Sequence, residues 1–504
     1  MRVRWRRVAI LCLGGAAIAI AVTQAVKPLP PGMHVASPRC SVPLEAVEFI
    51  ADVTTADAWG RPAVSHGIFD AVLALVHDAR RFIVLDYAAF GAGTPASPPE
   101  RRLAGELTDA LLARRREPGA PAVLFITDPA TERYGVLRSP ELQLLRAAGV
   151  EVVTTNVDRL RDSNPAYSSL WRLGLRWWDV SSGPFGVATR RLNFKSNDRK
   201  LIVADDGRGG IAAVVGSANP EDSQSAWSNV AARVGGGALP ALLESELAVA
   251  RFSGWRDSGA GFTAPPGASR DCSGPDASAA AGAPRGPSAP RGSTAAEDPR
   301  PGGERAARIQ VLTEGATRAQ LLAHLDATEA GEAIDVAVFQ LADRGVVESL
   351  LAAARRGADV RLILDPNEGA STGGTTGLPN QPVASELVSR SDGAIRVRWY
   401  RTHGERFHGA LVVTYGPQHA WVTLGSAQLT RRSLDDYNLE ANVAIELARS
   451  APLAQQVLEY FDTLWSNRAA LGIEYTADFA AYANAAQSDY WLYRVLEGSG
   501  LAPF

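Results

Sequence analysis

Residues Asn197–Asp205 read NDRKLIVAD and are followed by GSAN at Gly216–Asn219; Phe407–Tyr415 read FHGALVVTY and are followed by GSAQ at Gly425–Gln428. Each stretch joins a polar entrance to a run of β-branched residues, which reads as a buried strand. Lys200 heads an otherwise apolar run (Leu201, Ile202, Val203). A lysine so placed needs an anionic partner: a phosphate group on one reading, a structural pair with Asp205 on the other. Ser217 and Asn219 follow a glycine at a strand end, where hydroxyl and amide groups suit an oxyanion cradle, although turns favour the same residue types. His408 stands in register with GSAQ, 17 residues before Gly425, as Asp198 stands 18 before Gly216.

The repetition extends outward from these stretches. RFIVLDY (Arg81–Tyr87) matches AIDVAVF (Ala333–Phe339), and each is followed by an amphipathic helical pattern, from Arg101 and from Arg344. VLFITDP (Val123–Pro129) then matches VRLILDP (Val360–Pro366), and Gly149–Val153 matches Gly393–Val397. Strand and helix alternating twice in the same order imply two α/β units, each a sheet covered by helices.

Both stretches resemble the His-x-Lys-x4-Asp … Gly-Ser-x-Asn signature of the phospholipase D superfamily, and both are degenerate. Asp198 replaces the histidine of the first; Ala410 and Tyr415 replace the lysine and aspartate of the second. The resemblance implies two phospholipase D-like α-β-α domains related by a pseudo-twofold duplication, with one site at their interface. It implies a catalytic set of His408, Lys200, Glu440 and Asp205, with Ser217, Asn219, Ser426 and Gln428 holding phosphate oxygens. A nucleophile, an acid on the opposite side and charge neutralisation are what an anionic diester requires. On the same resemblance Glu440 orients His408, and counting from the Gly-Ser pair puts the corresponding first-half position at Ala231. No metal or cofactor is implied, and a monomer suffices for a two-motif site. The implied activity is a phosphodiesterase or phosphatidyltransferase of phospholipids, impaired by the lost residues; the alternatives are a non-catalytic phosphate-ester or lipid-binding protein and an exported nuclease.

The 504 residues exceed one compact core. From 264 to 306 the chain is Pro, Gly, Ala, Ser and Arg with few large apolar residues, which reads as a disordered linker between domains at 41–263 and 307–500. Net charge is −3, which weighs against nucleic acid as a partner. Residues 1–27 carry Arg2, Arg4, Arg6 and Arg7 and then an uncharged run from Val8 to Val26. This run reads as an apolar helix, either a single-pass anchor with the rest of the chain outside the cytoplasm or the core of a cleaved signal for secretion. In an exported chain Cys40 and Cys272 suggest a disulfide, two free thiols being the other reading. Tyr167–Trp178 (YSSLWRLGLRWW) suits an interfacial helix or a core helix. Arg431 and Arg432 are candidates for attracting anionic substrate.

Overall fold

The computed structural model describes residues 2–56, 62–93, 101–175, 184–192, 194–257, 259, 261–265, 272, 305–368, 377–402, 405–467, 474–484, 486–502 and 504. In the first half the strands are β1 (Cys40–Pro43), β2 (Val47–Asp52), β3 (Thr54–Ala56), β4 (Pro62–Val64), β5 (Phe82–Tyr87), β6 (Ala122–Thr127), β7 (Glu151–Thr154), β8 (Lys200–Asp205), β9 (Ile211–Gly216) and β10 (Asn229–Gly235). The second half supplies β11 (Ala306–Thr313), β12 (Ala333–Val338), β13 (Asp359–Leu364), β14 (Ile395–Tyr400), β15 (Ala410–Tyr415), β16 (His419–Gly425), β17 (Ala441–Ala448) and β18 (Thr476–Asp478).

One sheet runs β2-β10-β9-β8-β5-β6-β7, and the other runs β1-β11-β17-β16-β15-β12-β13-β14-β18. Removing β1 and β18 from the edges leaves the same order in both, so the duplicated α/β reading holds. In each sheet the run matched in sequence forms the parallel part, β5-β6-β7 and β12-β13-β14, and the motif strand adds antiparallel to it. Strands covered on both faces read as nearly continuous apolar runs. Along β5, Phe82 and Val84 face a core shared by the two halves, while Ile83 and Leu85 face the outer helices, as the period of two requires. The shared core also takes Leu239, Leu243 and Leu247 of the helix Leu239–Phe252 and Val457 and Phe461 of the helix Pro452–Ser466.

One expected boundary needs correction. A first domain of 41–263 puts β1 in the wrong sheet: it pairs antiparallel with β11, Cys40 opposite Ile309. A disulfide joins Cys40 to Cys272, Cα atoms 4.1 Å apart. The linker expected at 264–306 lies for the most part outside the described residues. Residues Arg2–Ala25 form a helix whose Ile10, Leu11, Leu13 and Ile18 are exposed. Among the described residues, no helix is long and apolar enough to cross a membrane. The Ser169 hydroxyl donates to the Ala17 carbonyl (2.7 Å), tying this helix to the helix Pro165–Leu170, which continues as a π-helical turn at Trp171–Leu175 with Trp171 buried. Arg176–Trp178 of the aromatic stretch lie outside the described residues.

Candidate active site

The site forms where the two motif strands begin. Lys200 opens β8 opposite Tyr87, and Ala410 opens β15 opposite Val338. The residues just before them do not continue into their own sheets but cross to the other half. The Asp198 amide donates to the Leu439 carbonyl (2.8 Å) and the Leu439 amide to Ser196 (3.0 Å); the His408 amide donates to Ser228 (2.8 Å) and the Ser228 amide to Arg406 (3.0 Å). These two matched ladders are the pseudo-twofold made visible in backbone.

Both strand entrances are held by the aspartates of the two Asp-Pro repeats. Asp128 accepts from the Asn197 amide (2.8 Å) and the Ala130 amide (2.7 Å); Asp365 accepts from Phe407 (3.2 Å) and Asn367 (2.7 Å). Burial pushes Asp128 up to about 7 and Asp365 up to about 6. Asn197 is itself buried and donates to both carboxylate oxygens of Asp86 (2.8 and 2.9 Å).

The crossed ladders overturn one expected contact. Glu440 lies on the Asp198 side of the cleft, not against His408. Its carboxyl accepts from the Ser426 hydroxyl at 2.5 Å, and its other oxygen, Oε1, has no partner among the described residues. Burial pushes this carboxyl up to about 8; the Asp198 carboxylate acts in the same direction and Lys200 opposes. His408 instead turns Nδ1 to the Ser217 carbonyl at 3.0 Å. A carbonyl can only accept, so Nδ1 carries the proton and Nε2 keeps a lone pair. Burial, then Lys200, then Arg406 hold this imidazole well below its ordinary value, so it is neutral at neutral pH.

The counterpart of Glu440 in the first half is Asn229, not Ala231. Gly216 pairs with Ala231 as Gly425 pairs with Asn442, and Ser217 donates to Asn229 Oδ1 (3.0 Å) as Ser426 donates to Glu440. The first-half loop is two residues shorter, which misleads a count from the Gly-Ser pair. The alternation of Val230, Ala232 and Val234 against Ala441, Val443 and Ile445 carried the correct register in the sequence. Glycine is required at the turn because the strands close on it: a Cβ at Gly216 would lie 2.5 Å from Ala231 Cβ, and one at Gly425 would lie 2.3 Å from the Ala441 carbonyl oxygen.

The remaining expected residues divide. Lys200, buried, pairs with Asp198 Oδ1 at 2.7 Å and donates to the Asp198 carbonyl at 2.9 Å. Asn219 accepts from the Ala89 amide (3.2 Å) and Gln428 from the Phe339 amide (3.0 Å), so both side chains hold the ends of neighbouring strands. Asp205 stands apart, at the opposite end of β8, where it accepts from the amides of Arg80 (3.0 Å), Arg81 (2.7 Å) and Phe82 (2.9 Å). Tyr415 is likewise at the far end of β15, its hydroxyl 3.2 Å from Arg361. Arg431 and Arg432 do not face the cleft: Arg431 donates to the Glu497 and Gly498 carbonyls, and buried Arg432 donates to those of Ala502 and Gly500. Trp227 and Phe339 were missed by sequence reading; their ring centroids lie 5.2 and 5.3 Å from that of His408.

Comparison with known proteins agrees with this fold. Residues 321–465 match the family of cardiolipin synthase, phospholipase D-like domains. The fold is similar to that of phosphatidylserine synthase from Haemophilus influenzae Rd KW20, at 11% identity over 92% of this chain and 96% of that one, with a TM-score of 0.54. The family match thus falls within the second half, and the likeness of fold extends over nearly the whole chain. Two more distant likenesses are to Nuc, a phospholipase D family member from Salmonella typhimurium, and to a polyphosphate kinase from Porphyromonas gingivalis. Nuc is 21% identical over 34% of this chain and 97% of its own, with a TM-score of 0.26. The kinase is 12% identical over 90% and 53%, with a TM-score of 0.42. No curated protein matches this sequence.

Proposed function

We propose that this chain is a phospholipase D-like phosphatidyltransferase or phosphodiesterase of phospholipids whose turnover is impaired. The observation that carries the reading is a single cleft with one neutral histidine, His408, and one buried lysine, Lys200, whose charge is taken by Asp198. The lone pair on His408 Nε2 attacks phosphorus, the diester P–O bond to the alcohol breaks, and a phosphohistidine forms. The departing alkoxide then needs a proton from the opposite side. There the chain offers Asp198, a carboxylate already in an ion pair, where an imidazolium acid is expected. Attack is provided for; on the opposite side no imidazolium stands, and the carboxyl held protonated there, Glu440, is engaged by Ser426. The names of the matched family and of the full-length structural likeness, cardiolipin synthase and phosphatidylserine synthase, support phospholipid as the substrate class. Attachment to a membrane through the helix Arg2–Ala25, with the two domains outside the cytoplasm, completes the reading and is supported by its exposed apolar side chains.

A second reading is a phosphate-ester or lipid-binding protein without turnover, and the Lys200–Asp198 pair favours it. The nuclease reading finds least support, since the chain's net charge is −3. Turnover of phosphatidylcholine and phosphatidylglycerol vesicles and of single-stranded DNA by the full chain separates the three. The expected result is lipid hydrolysis or transfer at least about a thousandfold slower than that of a relative with both histidines, abolished by His408→Ala. Brisk turnover surviving His408→Ala overturns the assignment of the cleft; lipid binding without any turnover selects the second reading.

A further inference from the structure

We propose that Arg406 is the second anion-binding cation of the cleft, making the phosphate contact that position 410, an alanine, cannot make. The inference rests on the phosphate-ester reading above and adds a residue to it.

Arg406 is placed by the same ladder that places His408: its carbonyl accepts from the Ser228 amide at 3.0 Å, two residues before the histidine. Its guanidinium lies between two rings, 4.5 Å from the centroid of Trp227 and 4.8 Å from that of Phe339. The same two rings flank the His408 imidazole. Histidine and guanidinium therefore share one aromatic wall, formed by a residue from each half. Cation–π contact fixes the plane of the guanidinium without consuming its N–H donors.

Those donors are free for a ligand. Among the described residues no carboxylate forms an ion pair with Arg406, and its Nε is buried without a hydrogen-bond partner. The carboxylate whose field acts on it, Asp365, is engaged by the amides of Phe407 and Asn367. Arg406 and His408 are both only partly buried. The matching ladder position in the first half is Ser196, whose carbonyl accepts from Leu439. One half thus keeps a lysine on its strand and a serine at the ladder; the other has an alanine on its strand and an arginine at the ladder. A planar fork matches two oxygens of a phosphate group better than a single ammonium does.

The test is calorimetric titration of the full chain with inorganic phosphate, comparing wild type, Arg406→Gln, Arg406→Lys and Lys200→Met, with folding of each checked by thermal melting. Arg406→Gln should weaken phosphate at least about tenfold, and Arg406→Lys, which keeps the charge, should recover part of the loss. Removing this nearby cation should also raise the midpoint of the His408 imidazole titration followed by NMR, and added phosphate should raise that midpoint more in the wild type than in Arg406→Gln, a difference that a packing role would not produce. Unaltered phosphate affinity in folded Arg406→Gln, with affinity lost in Lys200→Met, would overturn the role of Arg406 and leave the phosphate-ester reading standing. Absence of phosphate binding by the wild type would overturn both.

Discussion

Asp198 decides how much positive charge the cleft has to offer. It stands at a histidine position, yet its carboxylate does what a bound phosphate would do, pairing with Lys200 at 2.7 Å. A ligand anion must displace or share that contact against a like charge, which at an effective dielectric near 20 costs on the order of a few kcal/mol at close range. Asp198→Asn keeps the shape and removes the charge. It should strengthen inorganic phosphate binding by about tenfold, measured by calorimetry, while leaving any turnover limited by the missing acid. An unchanged affinity would mean that the Lys200 ammonium does not take part in binding. The identity of this residue was plain in the sequence. Its ion pair was not, because the sequence offered Asp205 as the partner of Lys200, and Asp205 instead caps three backbone amides at the far end of the strand.

At the scale of elements, the entrances of β8 and β15 are clamped by buried carboxyls, and this gives the fold a pH signature. Asp365 titrates at about 6, Asp128 at about 7 and Glu440 at about 8, all raised by burial above the ordinary carboxyl value near 4. Between about pH 4 and pH 8 the folded chain therefore holds protons that the unfolded chain has released, so stability falls as pH rises through this window. His408, depressed by burial, and His324, pushed down to about 4 by burial, act in the opposite sense below their ordinary value near 6.5. The carboxyls outnumber them, so the thermal midpoint should be higher near pH 5 than near pH 8, and Asp128→Asn should flatten the difference. A midpoint rising steadily from pH 5 to pH 8 would contradict this. The elements themselves were legible because their apolar runs repeat in order. The Asp-Pro pairs were visible as strand ends, but their clamp is a contact between strands. Likewise, the exchange of Glu440 and Asn229 across the interface follows from how the two halves meet, which neither repeat encodes alone.

For the whole molecule, the seam between halves is fastened by Arg199, which is fully buried one residue before Lys200. It pairs with Glu246 of its own half at 2.7 Å and with Glu314 of the other at 2.6 Å, and donates to the Met33 carbonyl at 3.3 Å. Removing the cation strands two carboxylates in the interior. Arg199→Met should cost about 3–5 kcal/mol, read from urea unfolding, and should loosen the cleft next to it. A loss under about 1 kcal/mol would place the fastening elsewhere along the shared apolar core. The edge strand β1 bears on how the chain is made. It belongs to a sheet whose remaining strands begin at Ala306, so during synthesis the thread 40–43 emerges long before its neighbour exists. At roughly 5–20 residues per second that wait is on the order of tens of seconds. Cys272 arrives within the interval, ahead of β11, and its bond to Cys40 gives the nascent chain a covalent means of keeping the thread beside the place where the second sheet will grow. The order of translation, and not the final contacts alone, thus sets which end of this protein must be held open until its other half arrives.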